Sequence, residues 1–187
     1  KQLQKLYERP PIDVLDNKRL SIFHKPLDPM VMRENNYEYL ITVDPAMGTK
    51  QDYSAMYVWL LRSNVDIVHC CTYYSNNVAP NDYTAKILFL AKLYNNALVL
   101  VETNEPAGGI IVNSLLKDHE YYNIVNMQKE GIGFRMHHEA KIKACTLLQV
   151  YCEKLLLKVH DERFYQELSA YGKKGNTYKA IGDGHDD

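Results

Sequence analysis

The sequence has no apolar run near the roughly 20 residues that a membrane-spanning helix requires, and no secretory leader is visible. Its four cysteines, Cys70, Cys71, Cys145 and Cys152, form no CxxC pair. They are expected to be reduced packing residues of a reducing compartment, not disulfide or zinc partners. Net charge is almost absent: 22 basic against 23 acidic residues leave −1, unlike a simple electrostatic nucleic-acid binder. A phosphate loop is missing too. Gly172-Lys173-Lys174-Gly175-Asn176 has the residue types but not the GxxxxGK[ST] spacing, so no ATP hydrolysis is expected there. His137-His138 has no third ligand at zinc spacing, and adjacent histidines point apart on any regular element; the pair reads as a polar helix entry.

What is present is a set of carboxylates at strand ends. Tyr39-Leu40-Ile41-Thr42-Val43-Asp44 is an apolar strand closed by an acid, followed by Pro45-Ala46-Met47-Gly48 and Gln51-Asp52-Tyr53-Ser54-Ala55. Leu98-Val99-Leu100-Val101-Glu102 repeats the pattern, and Gly184-His185-Asp186-Asp187 closes the chain on an acid-dense run. A carboxylate released at the tip of a buried strand sits at the rim of a sheet, where a hard cation can neutralise it. Charge is also unevenly placed. Lys141, Lys143, Lys154, Lys158, Lys173, Lys174 and Lys179 make the C-terminal third basic, which suits a polyanion held over an acidic site.

A chain of 187 residues buries one substantial core. Residues 1–36 hold Pro10-Pro11, Pro26 and Pro29 and read as a linker with an edge strand at Leu20-Ser21-Ile22-Phe23. The domain is expected over 37–187. Runs at 37–44, 53–61 and 65–74 predict an antiparallel meander, and Pro80-Asn81-Asp82 opens a helix carrying Ile87, Leu90, Ala91 and Tyr94 on one side. The 97–102 strand is apolar enough to be central. Pro106 opens a helix to about Lys117, Asn123-Ile124-Val125 is a short strand, and a third helix runs from about Glu139 to Lys154. Residues 155–159 form one more strand, and a last helix spans Asp161 to about Tyr171. Three antiparallel strands followed by helix-strand units give a mixed α/β sheet with helices on both faces. The tyrosines Tyr53, Tyr57, Tyr73, Tyr121 and Tyr151 lie in or beside elements and are expected to pack. The chain opens at Lys1 without Met, so it is expected to be a piece of something longer.

The order of elements, with acids ending the first and fourth strands and an acid pair at the close, resembles the ribonuclease-H-like fold. Within it, Val43-Asp44-Pro45-Ala46 with Gly48 and Asp52-Tyr53-Ser54-Ala55, Val101-Glu102-Thr103-Asn104, Lys141-Ile142-Lys143-Ala144 and Gly184-His185-Asp186-Asp187 resemble the nuclease domain of the large terminase subunit of tailed bacteriophages. The resemblance implies a divalent-metal-dependent endodeoxyribonuclease that cuts concatemeric viral DNA during genome packaging, in the cytoplasm of the infected host cell. It implies double-stranded DNA as substrate, an upstream ATPase motor, a small terminase subunit and a portal as partners, and no membrane. It also implies two divalent ions, Mg²⁺ or Mn²⁺. Asp44 would bridge them, with Glu102 holding one and Asp187 the other. Asp186, His185 and Asp52 would support these ligands, and Asp183 could substitute for one. Lys141, Lys143, Lys173, Lys174 and Lys179 would touch DNA phosphates. Phosphodiester hydrolysis needs a water in line with the leaving oxygen and charge neutralised on both, which two ions on hard oxygen donors provide. Such a cluster repels itself without metal, so raised carboxyl pKa values are expected.

Three other readings fit parts of this pattern. A junction resolvase or ribonuclease H would keep the metal site. A catalytically latent DNA-binding or docking module would bind DNA regardless of metal. A sugar-kinase or actin-like ATPase would need a second glycine-rich phosphate turn, which the sequence does not offer. The resembled family continues past the position of Asp187 into a C-terminal helix that fixes the last acid, and this sequence stops there.

Overall fold

The structure, a computed structural model, describes residues 2–63, 65–128, 131–174 and 177–180, with the backbone alone at residues 2, 173–174 and 177–180. The sheet is built on two long hairpin-joined ladders. Strands β3 (Tyr37–Asp44), β4 (Ser54–Arg62) and β5 (Asp66–Ser75) follow helix α1 (Gln2–Tyr7), strands β1 (Asp13–Leu15) and β2 (Leu20–Ile22), and helix α2 (Pro29–Asn35). Helix α3 (Pro80–Leu93), strand β6 (Leu98–Val101) and helix α4 (Pro106–Lys117) come next. Helix α5 (His138–Glu153), strand β7 (Leu157–Lys158), helix α6 (Glu162–Ala170) and the hairpin β8 (Tyr171–Lys174) and β9 (Thr177–Ala180) complete the described elements. The sheet order is β1-β2-β5-β4-β3-β6, and β7 lies parallel beside β5. The β3–β4–β5 meander is antiparallel as expected, and β6 runs parallel to β3.

Alternation explains the two layers. Tyr39, Ile41 and Val43 of β3, Met56 and Val58 of β4, and Val99 and Val101 of β6 turn to one face, where Tyr83, Ile87, Leu90 and Ala91 of α3 and Ile111 and Leu115 of α4 cover them. The other face carries Trp59 and Ile67 under Leu148, Tyr151 and Cys152 of α5 and Phe164 and Tyr165 of α6, with Leu3 of α1. Helices therefore flank both faces. Among the described residues no helix is long and apolar enough to cross a membrane. Cys70 and Cys71 are buried and all four cysteines are free; burial pushes the Cys70 thiol up to about 12.

Several expectations need correction. Residues 2–36 are not linker with one edge strand: α1, β1 and α2 form there besides β2. Helix α2 is capped by Asp28, whose carboxylate accepts from the Met30 amide at 2.7 Å, and ends on Asn36 in the left-handed conformation. Strand β6 is not central but ends the ladder. Its outer side is met by single bridges, Val99 to Ile124 and Glu102 to Phe134, so irregular chain shields it where a regular strand would. For the same reason 123–125 makes no strand. The strand expected at 155–159 shortens to Leu157–Lys158. Leu155 has a positive φ, which no strand residue adopts.

Candidate metal centre

The β3–β6 register decides where the acids meet. Leu40 to Val43 pair with Leu98 to Val101, and the Glu102 amide donates to the Val43 carbonyl at 2.9 Å. One step further, Asp44 and Glu102 stand side by side at the ends of adjacent parallel strands, about 5 Å apart along the ladder. Because Val43 and Val101 face the buried α3–α4 layer, the two carboxylates face the opposite side. Across the sheet Asp44 pairs with Ala55 and Ala55 with Tyr74, so these residues share that face. Tyr53 stacks on Tyr74 with centroids 4.3 Å apart, and the Arg163 guanidinium lies 4.0 Å from the Tyr74 ring centre.

Each acid is fixed by its neighbours in sequence. The loop after Asp44 is tied by buried Ser54, whose hydroxyl accepts from the Ala46 amide at 2.9 Å and donates to the Ala46 carbonyl at 3.3 Å. Asp52, expected to help order this loop, is exposed on it. Gly48 has φ +73° and packs so closely on the start of α3 that a Cβ there would lie 2.2 Å from the Val78 carbonyl oxygen. Beyond Glu102, the Thr103 amide donates to the Phe134 carbonyl at 2.8 Å. The Asn104 side chain both donates to the Met136 carbonyl and accepts from the Met136 amide, each at 2.8 Å. These bonds fasten the segment that leads into α5. His137 caps that helix, its Nδ1 accepting from the Ala140 amide at 3.3 Å, which is the polar helix entry read from the sequence.

Helix α5 brings Lys141 toward Glu102. Burial raises the Glu102 carboxyl pKa, Lys141 opposes the rise, and Glu105 adds to it; the net shift is upward. Lys141 also lies 5.5 Å from the Tyr171 ring centre, which sets the β8–β9 hairpin beside the start of α5. Lys173 and Lys174 fall on β8 and Lys179 on β9. The basic third does not form one face around the acids, however. Lys158 is at the other end of the sheet, bonded to Asp66 at 2.5 Å. Lys143 is exposed on α5.

Asp183, His185, Asp186 and Asp187 lie outside the described residues, and among the described residues no three His, Cys, Asp or Glu side chains gather as a metal cluster. The donor set present still suits a hard divalent cation. It comprises two carboxylates in register on one face, one of them with a raised proton affinity that a cation would relieve. Sequence reading singled out Asp44, Glu102 and Lys141, which the structure brings together, but assigned no role to Ser54, Thr103, Asn104 or Arg163. Ser54, Thr103 and Asn104 stood inside the motifs that drew attention to the acids. Arg163 carried no sequence signal, since its place depends on where α6 docks.

The mixed sheet, with β3 antiparallel to β4 and parallel to β6 and helices on both faces, has the architecture of the ribonuclease-H-like fold. No family model matches the sequence. Among solved structures, the magnesium-bound large terminase nuclease of thermophilic phage G20c aligns over 99% of this chain and 89% of its own, at 20% identity and TM-score 0.72. The Thermus phage P74-26 large terminase nuclease domain aligns over 99% and 87%, at 20% identity and TM-score 0.69. The cobalt-bound G20c nuclease aligns over 99% and 89%, at 18% identity and TM-score 0.69. The chain thus has the fold of the large terminase nucleases.

Proposed function

We propose that this domain is a divalent-metal-dependent endonuclease that cleaves double-stranded DNA during viral genome packaging. The observation that carries this reading is the in-register pair Asp44 and Glu102 on one face of a sheet shared with metal-bound nucleases. Asp44 and Glu102 would hold the metal, with Asp187 as a third ligand supported by Asp186 and His185. Two ions, Mg²⁺ or Mn²⁺, would supply an acidified water and charge neutralisation at the scissile phosphate. The chain's own residues do the rest. Ser54 and Gly48 fix the loop behind Asp44, and Asn104 and Thr103 hold the segment that brings Lys141 beside Glu102. Lys141 and Arg163 set positive charge at opposite ends of the carboxylate row, where a DNA backbone crossing that row would meet both. In the reaction the P–O bond to one sugar oxygen breaks, a water oxygen takes its place, and the departing oxygen gains a proton.

The packaging context supplies the remaining roles. The full-length protein would join this domain to an upstream ATPase motor, meet a small terminase subunit and a portal, and act in the cytoplasm of the infected host. The test is nicking of supercoiled plasmid with Mn²⁺ or Mg²⁺. We expect Asp44→Ala to lose at least about a hundredfold in rate, as removal of a central charge-stabilising group does. Nicking by Asp44→Ala at the wild-type rate would reject the assignment. Retention of DNA with no nicking by the wild type would favour a latent binding module.

A further inference from the structure

The end of the sheet away from the carboxylates opens into a cavity of about 660 Å³. Tyr37, Leu60 and Val68 line it, so it lies at the start of β3, some seven residues and about 23 Å along the strand from Asp44. Its inner wall is apolar, with Leu27, Tyr39, Leu60, Val68 and Cys70. Its rim is basic: Arg9, Lys25, Arg62 and Lys158 all line it, with His24 and His160. Against these four cations stand Glu8 on the rim and Asp66, which is hydrogen-bonded to both Arg62 and Lys158. An excess of two positive charges remains among the described residues.

Three of the basic groups converge with no carboxylate between them among the described residues. The Arg9 guanidinium contacts Nε2 of His24 and, at 3.1 Å, Nε2 of His160, and the two imidazole nitrogens are 3.0 Å apart. His160 Nδ1 lies 2.6 Å from the Tyr7 carbonyl oxygen, which can only accept, so Nδ1 carries the proton and Nε2 is left to accept from Arg9. Burial, then Arg9, His160 and Arg62, hold the His24 pKa down to about 4; burial and Arg9 also lower that of His160, against the bond to Tyr7. The exposed Arg9 guanidinium, held by two neutral imidazoles, meets no carboxylate among the described residues, and its positive charge is one that an oxyanion would neutralise. The volume is that of a site for a compact organic ligand, and the wall behind the cations is suited to an aromatic or aliphatic body.

We propose that this cavity binds a phosphate monoester borne on an apolar body, a nucleoside monophosphate being the simplest, with its phosphate at Arg9, Lys25, His24 and His160 and its base on the Leu27, Tyr39 and Leu60 wall. The site is separate from the carboxylate pair and does not depend on the nuclease reading.

The test is titration of the 187-residue chain with adenosine monophosphate and adenosine, followed by calorimetry and by the imidazole proton resonances of His24 and His160. We expect the monophosphate to bind at least about tenfold more tightly than adenosine and to shift both histidines. Lys25→Ala, at an exposed position, should weaken binding about fivefold or more without altering the fold, and Arg9→Gln should weaken it further; Lys117→Ala should not. Asp44→Ala should bind the monophosphate as the wild type does, so failure here and failure of the nuclease reading are told apart. Adenosine binding as tightly as its monophosphate, or monophosphate binding that Lys25→Ala and Arg9→Gln both leave unchanged, would overturn the proposal.

Discussion

At the scale of single residues, Glu102 shows how a site acid weighs on the fold that holds it. Its carboxyl pKa is raised in the folded chain, chiefly by burial. Between the ordinary carboxyl value of 4.5 and that raised value the folded state therefore holds more proton than the unfolded state, and stability falls as pH rises through the window. The Glu102→Gln variant in EDTA should accordingly melt higher than the wild type at pH 7, with the difference vanishing below pH 4.5. Melting curves across pH check this, and a Glu102→Gln variant that is less stable at pH 7 would contradict it. Asp44 and Glu102 stood out because acid-closed apolar runs recur together in the sequence, although either acid alone would read as a turn or capping residue. The partners that steady them did not stand out, since a serine or asparagine beside an acid looks the same whether it bonds to backbone or to water. Only the fold reveals that Asn104 bonds twice to Met136, 32 positions away.

At the scale of elements, the strand ends and helix starts around the site are joined through glycine. Gly108 sits in the first turn of α4, and a Cβ there would lie 2.1 Å from the Glu102 carbonyl oxygen and 2.9 Å from the Thr103 Cα. Backbone cannot give way as a side chain can. Gly108→Ala should therefore cost about 1–3 kcal/mol and displace Glu102, and under the proposed nuclease function it should lower plasmid nicking more than DNA retention. Next to it, Gly109 has nothing within 4 Å, so Gly109→Ala should stabilise the protein by roughly 0.5–1 kcal/mol through the unfolded chain. Thermal melts of the two variants should move in opposite directions; shifts of the same sign would refute the packing account. The meander, α3 and α4 were readable because they are long and periodic, and Pro80 and Pro106 mark the starts of the two helices. Helix α2 was not, although Asp28-Pro29 and Asn36 are cap signals. Seven residues are too few to show a period, and the neighbouring prolines looked like linker.

At the scale of the molecule, the two ends of the sheet are organised by charge of opposite sign. Asp66 is buried at the β4–β5 turn and bonded to Arg62 and to Lys158, which ties the hairpin to β7. Burial alone would raise its pKa, but the bonds from Arg62 and Lys158 outweigh that and hold it below 3.8. Its contribution to stability is therefore present above pH 3.8 and lost as pH falls through the lowered folded value. Asp66→Asn should cost about 3 kcal/mol at pH 7, the low end for a broken buried pair because both cations are about a third exposed. Denaturant melts would show it, and a cost below about 0.5 kcal/mol would mean that the cluster is solvated. None of this end was legible in sequence, where Lys158 was grouped with the lysines around the acids. Pairing across the sheet, not position along the chain, decides which end a residue serves.

The parallel pairing of β3 with β6 has one more implication. Side chains alternate between faces with every residue, so losing or gaining a single residue within Leu98–Val101 would not nudge Glu102 a short distance but flip it into the oily interior under α4. The pairing of Glu102 with Asp44 consequently has no graded tolerance to insertions or deletions in that strand. A chain bearing such a shifted ladder would lose the juxtaposition of the two acids in a single step.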